Sequence, residues 1–388
     1  MLTESIDCGL QRRDAFTYAA TPSQRESIER EYRHITRAGL PAELVDRTDL
    51  PYQTYGAVRL PNQVQIHPVR YAQGLADAID GDGSAVYETT RAISIEEGSP
   101  SWVRTGAASV RAEHVVIATH FPILDRGLYF ARLKPQRSYC IAANLRTGTA
   151  PTGMSISAGP PTRSVRGDGD ILIIGGEGHS VGAREATPQR FLRLEAFARE
   201  HWDVDRITHR WSAQDASHYD HLPVIGTYRP GSRHLWVAAG FMKWGFATAT
   251  FAAGILTDLI HGRQNEWAHT FNPNRLSPRS LRESARLGAK FSADLVGDRI
   301  KRPDTSSVHD VPAGQARVVG TGHARAGVFR DDNGHVHAVS LRCPHMGCLL
   351  RFNSAERSWD CPCHGSRFDV DGAVLEGPAV TDLERPTL

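Results

Sequence analysis

Two short cysteine- and histidine-rich segments near the C-terminus carry the most specific chemistry in this sequence. The motifs CPHMGC and CPCHGS each offer one cysteine and one histidine, which are Cys343 and His345 in the first and Cys361 and His364 in the second. Two thiolates and two imidazoles suit a [2Fe–2S] cluster in which one iron keeps sulfur ligands and the other binds histidine. Imidazole in place of thiolate raises the reduction potential of such a cluster. The spacing therefore predicts a one-electron centre at these two segments.

A structural zinc site is the alternative use of the same four side chains, because Zn²⁺ also accepts two cysteines together with two histidines. Zinc fingers commonly place both cysteines on one segment and both histidines on another. Here each segment carries one cysteine and one histidine. This arrangement favours an iron–sulfur cluster over zinc.

The two segments resemble those of the Rieske proteins of the cytochrome bc type at every position of the pattern C-x-H-x-G-C…C-x-C-H-G-S. The resemblance implies that the cysteine and histidine side chains named above are the cluster ligands. It also implies a disulfide between Cys348 and Cys363. Ser366 would donate a hydrogen bond to a cluster sulfide.

Phe368 departs from the pattern of the high-potential members of the resembled family. The resemblance implies that those members have a tyrosine at this position, whose hydroxyl reaches a ligand sulfur. A hydrogen bond to sulfur stabilises the reduced, more negative cluster. We therefore expect a lower reduction potential in this protein.

The composition is that of an ordinary globular protein with two or three domains. The chain has 388 residues, of which 40% are hydrophobic and 23% are charged, so it is long enough for a sizeable core. A formal net charge of +2 gives no reason to expect a nucleic-acid partner. Four of the six cysteines lie in the two motifs, which argues against a disulfide framework.

Neither a secretory signal nor a transmembrane segment is predicted. The N-terminal segment MLTESIDCGLQRRDAF lacks a basic region followed by an apolar run. The most apolar long stretch, 246–260, is too short to span a bilayer. The sequence therefore predicts a cytoplasmic location.

The pattern of elements predicts an α/β domain followed by a small all-β domain. We expect the α/β domain at 1–272, a linker with short helices at 273–305, and the all-β domain at 306–388. A buried strand, HVVIATH, is of the type found in parallel sheets. Helices are predicted at 23–39 (capped by Ser23), 71–79, 188–202 and 246–262, and strands at 56–68, 86–97, 101–106, 109–120, 137–145, 170–179 and 234–245.

Several segments outside the cluster motifs resemble the FAD-dependent oxidoreductases of the D-amino-acid oxidase/glycine oxidase superfamily, most closely the bacterial subgroup with a C-terminal Rieske domain. The resemblance implies an α/β fold of the GR2/DAO type and FAD as a cofactor. It covers nearly the whole chain. The segments that carry it are VVIATHFP (115–122), GLYFARLKPQRSY (127–139), GGEGH (175–179), RWSAQD (210–215), HLPVIG (221–226) and GFMKWG (240–245).

A complete dinucleotide-binding fingerprint, G-x-G-x-x-G between a strand and a helix, does not occur in this sequence. The nearest segment, ILIIGGEGHSVG, has Gly176 and Gly178 in place but Val181 at the third position, so we interpret it as a turn at the end of a strand. In the resembled family the fingerprint lies upstream of the segment that matches DCGLQRRDAF. The domain is therefore expected to be partial, without its ADP-binding unit, and FAD binding by this chain is an open question.

The resemblance also assigns residues to the remaining part of a flavin site. Thr119 corresponds to a strand end that passes near the adenosine or pyrophosphate part of FAD. Gly240 and Gly245 bound a turn lying against the isoalloxazine ring, where glycines permit close approach. The helix that follows, together with Lys243, would favour negative charge on the reduced flavin.

Weaker candidates complete the site. His179 is a candidate for the substrate cavity, and Arg137 and Tyr139 are weaker ones for binding a polar group of the substrate. Trp244 fits the core as well as the ring-facing side. No catalytic residue is assigned.

The favoured function is an oxidoreductase that passes electrons from an amine or amino-acid-like small molecule through FAD to the Rieske cluster, and then to an acceptor that the sequence does not identify. The alternative is a Rieske electron-transfer protein whose partial domain binds no flavin. A Rieske oxygenase would need a mononuclear iron on two histidines and a carboxylate, for which DASHYDH offers Asp215, His218 and His221. The histidine spacing is too short and the cluster domain comes last, so we interpret this segment as a polar loop.

Overall fold

The computed structural model describes residues 4–182, 188–275, 303–321 and 324–386. Most of the predicted linker therefore lies outside the described residues. Contacts divide the chain into two compact units. The first is formed by Met1–Thr89, Ser138–Gly178 and Gln189–Ser212, and the second by Thr90–Arg137, His179–Pro188 and Ala213–Leu388.

The described elements follow the predicted order closely. The helices are α1 Arg25–Arg37, α2 Pro68–Ile79, α3 Gln189–His201, α4 Gly245–Ile260 and α5 Ala268–Phe271. The strands are β1 Gln11–Tyr18, β2 Glu43–Val45, β3 Ala57–Gln65, β4 Ala92–Glu96, β5 Ser101–Thr105, β6 Ser109–Ala112, β7 Val115–Ile117, β8 Leu133–Leu145, β9 Met154–Ser157, β10 Arg163–Asp168, β11 Ile171–Ser180, β12 Val204–His218, β13 Val224–Thr227, β14 Leu235–Ala239, β15 Gln315–Thr321, β16 Ala324–Arg330, β17 Val336–Ser340, β18 Arg351–Asn353, β19 Ser358–Asp360, β20 Arg367–Phe368 and β21 Val374–Glu376.

An eight-stranded sheet with the order β12-β8-β11-β10-β9-β1-β3-β2 supports the first unit. Helix α1 packs on it through Ile28, which joins Ala19 and Val58 in a small apolar core. The predicted cap of this helix is wrong. A 3-10 turn precedes α1, so the N-cap residue is Gln24. The Ser23 hydroxyl lies 2.9 Å from the hydroxyl of Thr21.

The glycine-rich segment 171–182 is strand β11 followed by a turn at 181–182. Both Gly176 and Gly178 lie inside the strand, so the interpretation of the segment as a strand-end turn is wrong for these glycines. Gly176 pairs with Arg163 of β10. A Cβ at Gly176 would lie 2.4 Å from the carbonyl oxygen of Thr162, so the glycine permits close packing of two strands.

The second unit contains the parallel strand pair that the sequence predicted. Strand β7 of the HVVIATH segment runs parallel to β14, with Val115 opposite Leu235 and Ile117 opposite Val237. Strand β13 pairs antiparallel with the other side of β14. Helix α4 follows β14 and packs on the sheet through Ile255 and neighbouring apolar side chains. The α/β character of this part is confirmed.

Strands β1, β2, β9, β10, β12 and β13 were not predicted, and β18 to β21 of the all-β domain were not predicted individually. Strand β12 is the most consequential of them because it runs to His218. Its last four residues, 215–218, therefore belong to a strand, and the interpretation of 215–221 as a polar loop is wrong for that half.

The C-terminal part of the second unit is the predicted all-β domain. It has one sheet of β15-β16-β17 and another of β18-β19-β20-β21. Cysteines 343, 348 and 361 share its apolar core with Trp359 and Phe368. The first cluster motif follows β17, and the second connects β19 with β20. Both motifs are thus held on the same small scaffold.

Among the residues that the structure describes, no helix combines the length and the apolarity needed to cross a bilayer.

Candidate electron-transfer site

Two closely similar loops form the cluster site. Each loop is closed by a backbone hydrogen bond between its first and last residues, of 2.9 Å in 343–348 and 2.8 Å in 361–366. Gly347 and Gly365 have φ angles of 76° and 82°, which only glycine adopts without strain. The glycines of the motif therefore shape the loops, and the cysteines and histidines supply the chemistry.

The two cysteines predicted as ligands lie together as buried thiols. Cys343 and Cys361 are each 1% exposed and share a hydrogen bond between their side chains. That bond lowers the pKa of Cys343 to about 7, helped by the backbone N–H of His345. The same bond and burial raise the pKa of the Cys361 thiol. A thiolate is the ligand form of cysteine, and the site already stabilises one.

The two histidines predicted as ligands also lie together. The ring centroids of His345 and His364 are 4.9 Å apart with the planes at 86°. Burial lowers the pKa of His364 to about 3, so its ring is neutral, as a metal ligand must be. The loops thus present two thiols and two imidazoles at one place.

A disulfide joins the two loops between Cys348 and Cys363. The sulfur atoms of these residues and of Cys361 lie within 4.8 Å of one another. Two of the three sulfurs are consumed by the disulfide, so this trio is not a metal-binding set. The cysteine–histidine pairs on each loop have the donor chemistry of a [2Fe–2S] cluster with two histidine ligands, and they fit it.

Ser366 and Phe368 lie directly behind the loops. The Ser366 hydroxyl donates to the sulfur of Cys343 and accepts a 3.0 Å hydrogen bond from the backbone N–H of Ala379. Phe368 is completely buried and pairs with Trp359 across the sheet. Ser366 is therefore placed to influence the Cys343 sulfur, and Phe368 shares the apolar core with both ligand cysteines.

Thr119 and Gly240, which were predicted for the flavin, follow the carboxyl ends of the two parallel strands of a mixed three-stranded sheet. Thr119 follows the carboxyl end of β7, and Gly240 follows the carboxyl end of β14. These strands are parallel neighbours, and ligands of open α/β sheets bind at the carboxyl ends of such strands. Thr119 is exposed and donates a 2.9 Å hydrogen bond to the carbonyl oxygen of Phe121.

The turn at this edge has an unusual backbone. Gly240, Met242 and Lys243 all have positive φ angles, of 75°, 49° and 68°. Such angles are uncommon in residues other than glycine and cluster at functional sites. Lys243 is exposed, and a Cβ added at Gly245, the first residue of α4, would meet no atom within 4 Å. The turn therefore borders open space beside a helix N-terminus.

Asp215 is the acidic group at this turn. Burial raises the pKa of Asp215, while His120 and Lys243 pull it in the opposite direction. The backbone N–H groups of Ala216 and Lys243 donate to its carboxylate. Strand β12 thus connects to the turn through a polar side chain that sequence reasoning had considered only for a mononuclear iron.

The proposed iron ligands of an oxygenase do not converge. His218 Nδ1 lies 2.6 Å from Asp220, whose carboxylate accepts hydrogen bonds of 2.7 and 2.8 Å from Arg275. In the part of the chain that the structure describes, three or more metal-binding side chains come close together only at the sulfurs of the cluster loops. Asp215, His218 and His221 therefore do not form a metal site.

The weaker substrate candidates are placed as follows. Arg137 is fully buried beside Asp360 and Glu356, and Tyr139 is fully buried with its ring centroid 5.0 Å from that of Phe191. These two have structural contacts and are not available to a substrate. His179 Nδ1 lies 2.8 Å from the carbonyl oxygen of Ser180.

The cluster loops contact the segments beside the predicted flavin edge, which is the sheet edge that bears Thr119 and Gly240. The His364 ring centroid lies 6.1 Å from that of Phe121 and 5.5 Å from that of Phe130. Gln214 donates a buried 2.7 Å hydrogen bond to the carbonyl oxygen of Gly365. Sequence reasoning missed these three residues, since no motif marks them. The only signal in the sequence was position, since Phe121 lies two residues after Thr119 and Gln214 lies next to Asp215.

Comparison with known proteins identifies the class. Residues 1–259 match the family model described as FAD dependent oxidoreductase (DAO), and residues 303–387 match the Rieske [2Fe-2S] domain. The chain belongs to the DAO family of FAD-dependent oxidoreductases and carries a Rieske domain after it. The first domain implies FAD and the second implies a [2Fe–2S] cluster.

Individual relatives agree with this assignment. The chain is 32% identical to the putative Rieske 2Fe-2S iron-sulfur protein YhfW of Bacillus subtilis, over 98% of this chain and 76% of the relative. It is 29% identical to cytochrome b6-f complex iron-sulfur subunit 1 of Synechocystis, over 25% of this chain and 54% of that subunit. The crystal structure of glycine oxidase from Geobacillus kaustophilus has a TM-score of 0.61 and 21% identity, over 70% of this chain and 77% of that one, which supports the fold.

The described residues fit the two cofactors unequally. The donor set of the loops fits the cluster completely. For FAD, the described residues offer the end of β7 at Thr119, predicted for the adenosine or pyrophosphate part, and the turn from Gly240 to Gly245, predicted for the ring.

Proposed function

We propose that this protein oxidises a small amine or amino-acid-like substrate and releases the electrons one at a time through its Rieske cluster. The observation that carries the proposal is that two separate segments each contact both sites. One runs from Thr119 to Phe121, and the other is the consecutive pair Gln214 and Asp215 of β12. Neighbouring Cα atoms are only about 3.8 Å apart, so the cluster loop and the flavin edge are close.

The reaction balances when two one-electron acceptors are reduced for each substrate. Bound FAD would accept a hydride from the C–H bond beside the substrate nitrogen, and the cluster would pass on the two electrons one at a time. The substrate leaves with a C=N bond, and the protons pass to water. The amine class follows from the family resemblance alone.

The residues of the chain have separate roles in this proposal. Gly240 lets the backbone approach the flavin ring, and the N-terminus of α4 with the charge of Lys243 favours negative charge there. Cys343, His345, Cys361 and His364 hold the cluster, and the disulfide clamps the two loops. Ser366 stabilises the reduced form by its hydrogen bond to sulfur.

The predicted domain limits remain a proposal. We divide the chain into an oxidoreductase domain at 1–272, a linker at 273–305 and a Rieske domain at 306–388, and the matches to 1–259 and 303–387 support that division. The cytoplasmic location stays a prediction from the sequence.

A second candidate is a Rieske electron carrier that binds no flavin. The similarity of the Rieske part to an iron-sulfur subunit of the cytochrome b6-f complex favours it. In that case the α/β domain would serve as a scaffold or a partner surface.

Cofactor analysis of the purified protein separates the two candidates. The first predicts iron, acid-labile sulfide and FAD in the same preparation, together with reduction of the cluster after anaerobic addition of a substrate from a panel of amines and amino acids. Iron and sulfide without bound or bindable FAD would refute the oxidoreductase and leave the carrier. A Cys361→Ser variant is the matched control, because it should lose the cluster while retaining any flavin.

A further inference from the structure

The two cluster histidines lie in different surroundings. His364 is 2% exposed and its ring lies against Phe121 and Phe130. His345 is only half-buried, and the preceding Pro344 is exposed. One ligand ring therefore points to the segments beside the flavin edge, while the other has access to solvent.

Hydrogen bonds fix the loop of His364 against the rest of the second unit. Gln214 binds the carbonyl oxygen of Gly365, the residue that follows His364. A Cβ added at Gly182 would lie 2.3 Å from Pro362, so this loop is also in close backbone contact there. Arg351 donates a 2.7 Å hydrogen bond to the Gly182 carbonyl oxygen. The loop is therefore contacted at Pro362 and at Gly365, which lie before and after His364 in the sequence.

A buried ion pair supports the same contact. Arg137 is completely buried, with its guanidinium nitrogens 3.5 Å from Asp360 and 3.9 Å from Glu356. Asp360 immediately precedes the ligand Cys361. Arg367, from the Rieske domain itself, binds the same two carboxylates at 3.4 and 2.9 Å. Asp360 and Glu356 are thus paired with one arginine from each side of the contact. Removing one partner of a buried ion pair destabilises the fold because it leaves an uncompensated buried charge.

We propose that the two histidine ligands divide the electron path between them. His364, held inward by Arg137, is the ligand through which the cluster is reduced, and His345 is the ligand through which an external one-electron acceptor oxidises it. One electron passes in through His364 and one passes out through His345 in each cycle. The direction of the path rests on the proposed function, whereas the inward position of His364 does not.

Histidine acylation read by mass spectrometry tests the positions directly. The Cys348–Cys363 disulfide is reduced after labelling, because it would otherwise join the two peptides of interest. Trypsin then releases His345 in the peptide CPHMGCLLR and His364 in SWDCPCHGSR, and each peptide contains a single histidine. With diethyl pyrocarbonate on the intact cluster-containing protein, we expect His364 to react at least about tenfold more slowly than His345. Equal rates would overturn the proposal.

Variants test the positioning role of Arg137. Arg137→Met is expected to bring the labelling rate of His364 to within about threefold of that of His345 while the cluster is retained. The matched control is Arg357→Met, which removes a 2.7 Å pair with Asp332 that is exposed and lies in the same domain. The control should leave His364 protected. Loss of the trypsin site at Arg357 lengthens the peptide that contains His364, which is still its single histidine.

A second variant keeps the positioning role testable if Arg137→Met misfolds. Gln214→Met removes the hydrogen bond to Gly365 without disturbing an ion pair, and a smaller increase in His364 labelling is expected. Protection of His364 that is unchanged in both variants, with iron content retained, would refute the positioning role.

A kinetic measurement tests the direction of the path. Acylation of His345 in the intact protein is expected to slow oxidation of the reduced cluster by ferricyanide about tenfold and to leave its reduction by substrate unchanged. An equal slowing of both steps would contradict the division. If the preparation contains no FAD, the proposed function fails, yet the labelling pattern still decides where His364 faces.

Discussion

Phe368 is the single residue of the cluster site at which the chemistry departs from the high-potential pattern. Its ring is fully buried in the core that also contains Cys343 and Cys361. A phenyl ring offers no hydrogen bond to a ligand sulfur, whereas Ser366 does. The cluster therefore keeps one of the two side-chain donors and should have an intermediate potential.

Phe368→Tyr is expected to raise the reduction potential. One hydrogen bond is worth about 1 kcal/mol, which corresponds to roughly 40 mV for a one-electron couple. A redox titration followed by visible or EPR spectroscopy measures the change. Phe352→Tyr is the control, since Phe352 stacks on Phe329 in the same domain. A potential that is unchanged or lower in Phe368→Tyr would contradict the prediction.

At the residue scale, sequence reasoning depended on motifs. The ligands, the disulfide cysteines and Ser366 came from a pattern with fixed spacing, and the structure brings their side chains together. Arg137 was considered as a substrate ligand because an arginine attracts carboxylates. Its actual partners, Asp360 and Glu356, lie more than two hundred residues further along the chain, and no spacing connects them.

At the element scale, the end of β12 shows how one strand organises two sites. Successive residues of the strand point in opposite directions. Gln214 therefore reaches the cluster loop while Asp215 reaches the turn before α4. The last residue, His218, is buried against Asp220, which Arg275 in turn holds.

The stability of this strand end should depend on pH. Burial lowers the pKa of His218 to about 4, against the contrary effect of Asp220. The unfolded chain takes up a proton near pH 6.5, whereas the folded state resists it until about pH 4. Stability is therefore fully present above pH 6.5 and falls as the pH drops toward 4, by up to about 3 kcal/mol.

Chemical denaturation at several pH values measures this effect. His218→Gln should flatten the dependence of unfolding free energy on pH between 6.5 and 4. His221→Gln is the matched control because His221 is exposed, and it should leave the slope unchanged. A slope that survives in His218→Gln would assign the effect to other groups.

The helices and buried strands were predictable because their apolar residues recur with a clear period. Helices α1 to α4 were predicted, with ends that differ by at most a few residues. Strands β1, β2, β9, β10, β12 and β13 were missed because they are short or mix polar and apolar residues without a strong alternation. The glycines of β11 suggested a turn, but they serve close packing between strands, which only the partner strand reveals.

At the scale of the whole molecule, the chain alternates between two units, whereas the cluster ligands all belong to one of them. The second unit contains both cluster loops, the sheet edge with Thr119 and Gly240 at which the flavin is proposed to bind, and the end of β12. The eight-stranded sheet of the first unit contributes no ligand to the cluster. The family resemblance predicted the two domains, but contacts such as that of Phe130 with His364 join distant parts of the sequence and were not predictable from it.

Removal of the iron should therefore loosen one region and spare another. Metal binding contributes folding energy to the loops that supply the ligands. After chelation of iron, we expect backbone amides in 341–368 to exchange with deuterium about tenfold or more faster, together with those around Phe121 and Gln214, which contact the cluster loop. Peptides from β1 and β3 should exchange at the same rate as before. Unchanged exchange in the cluster loops would contradict this prediction. An acceleration that extends into β1 and β3 would contradict it as well.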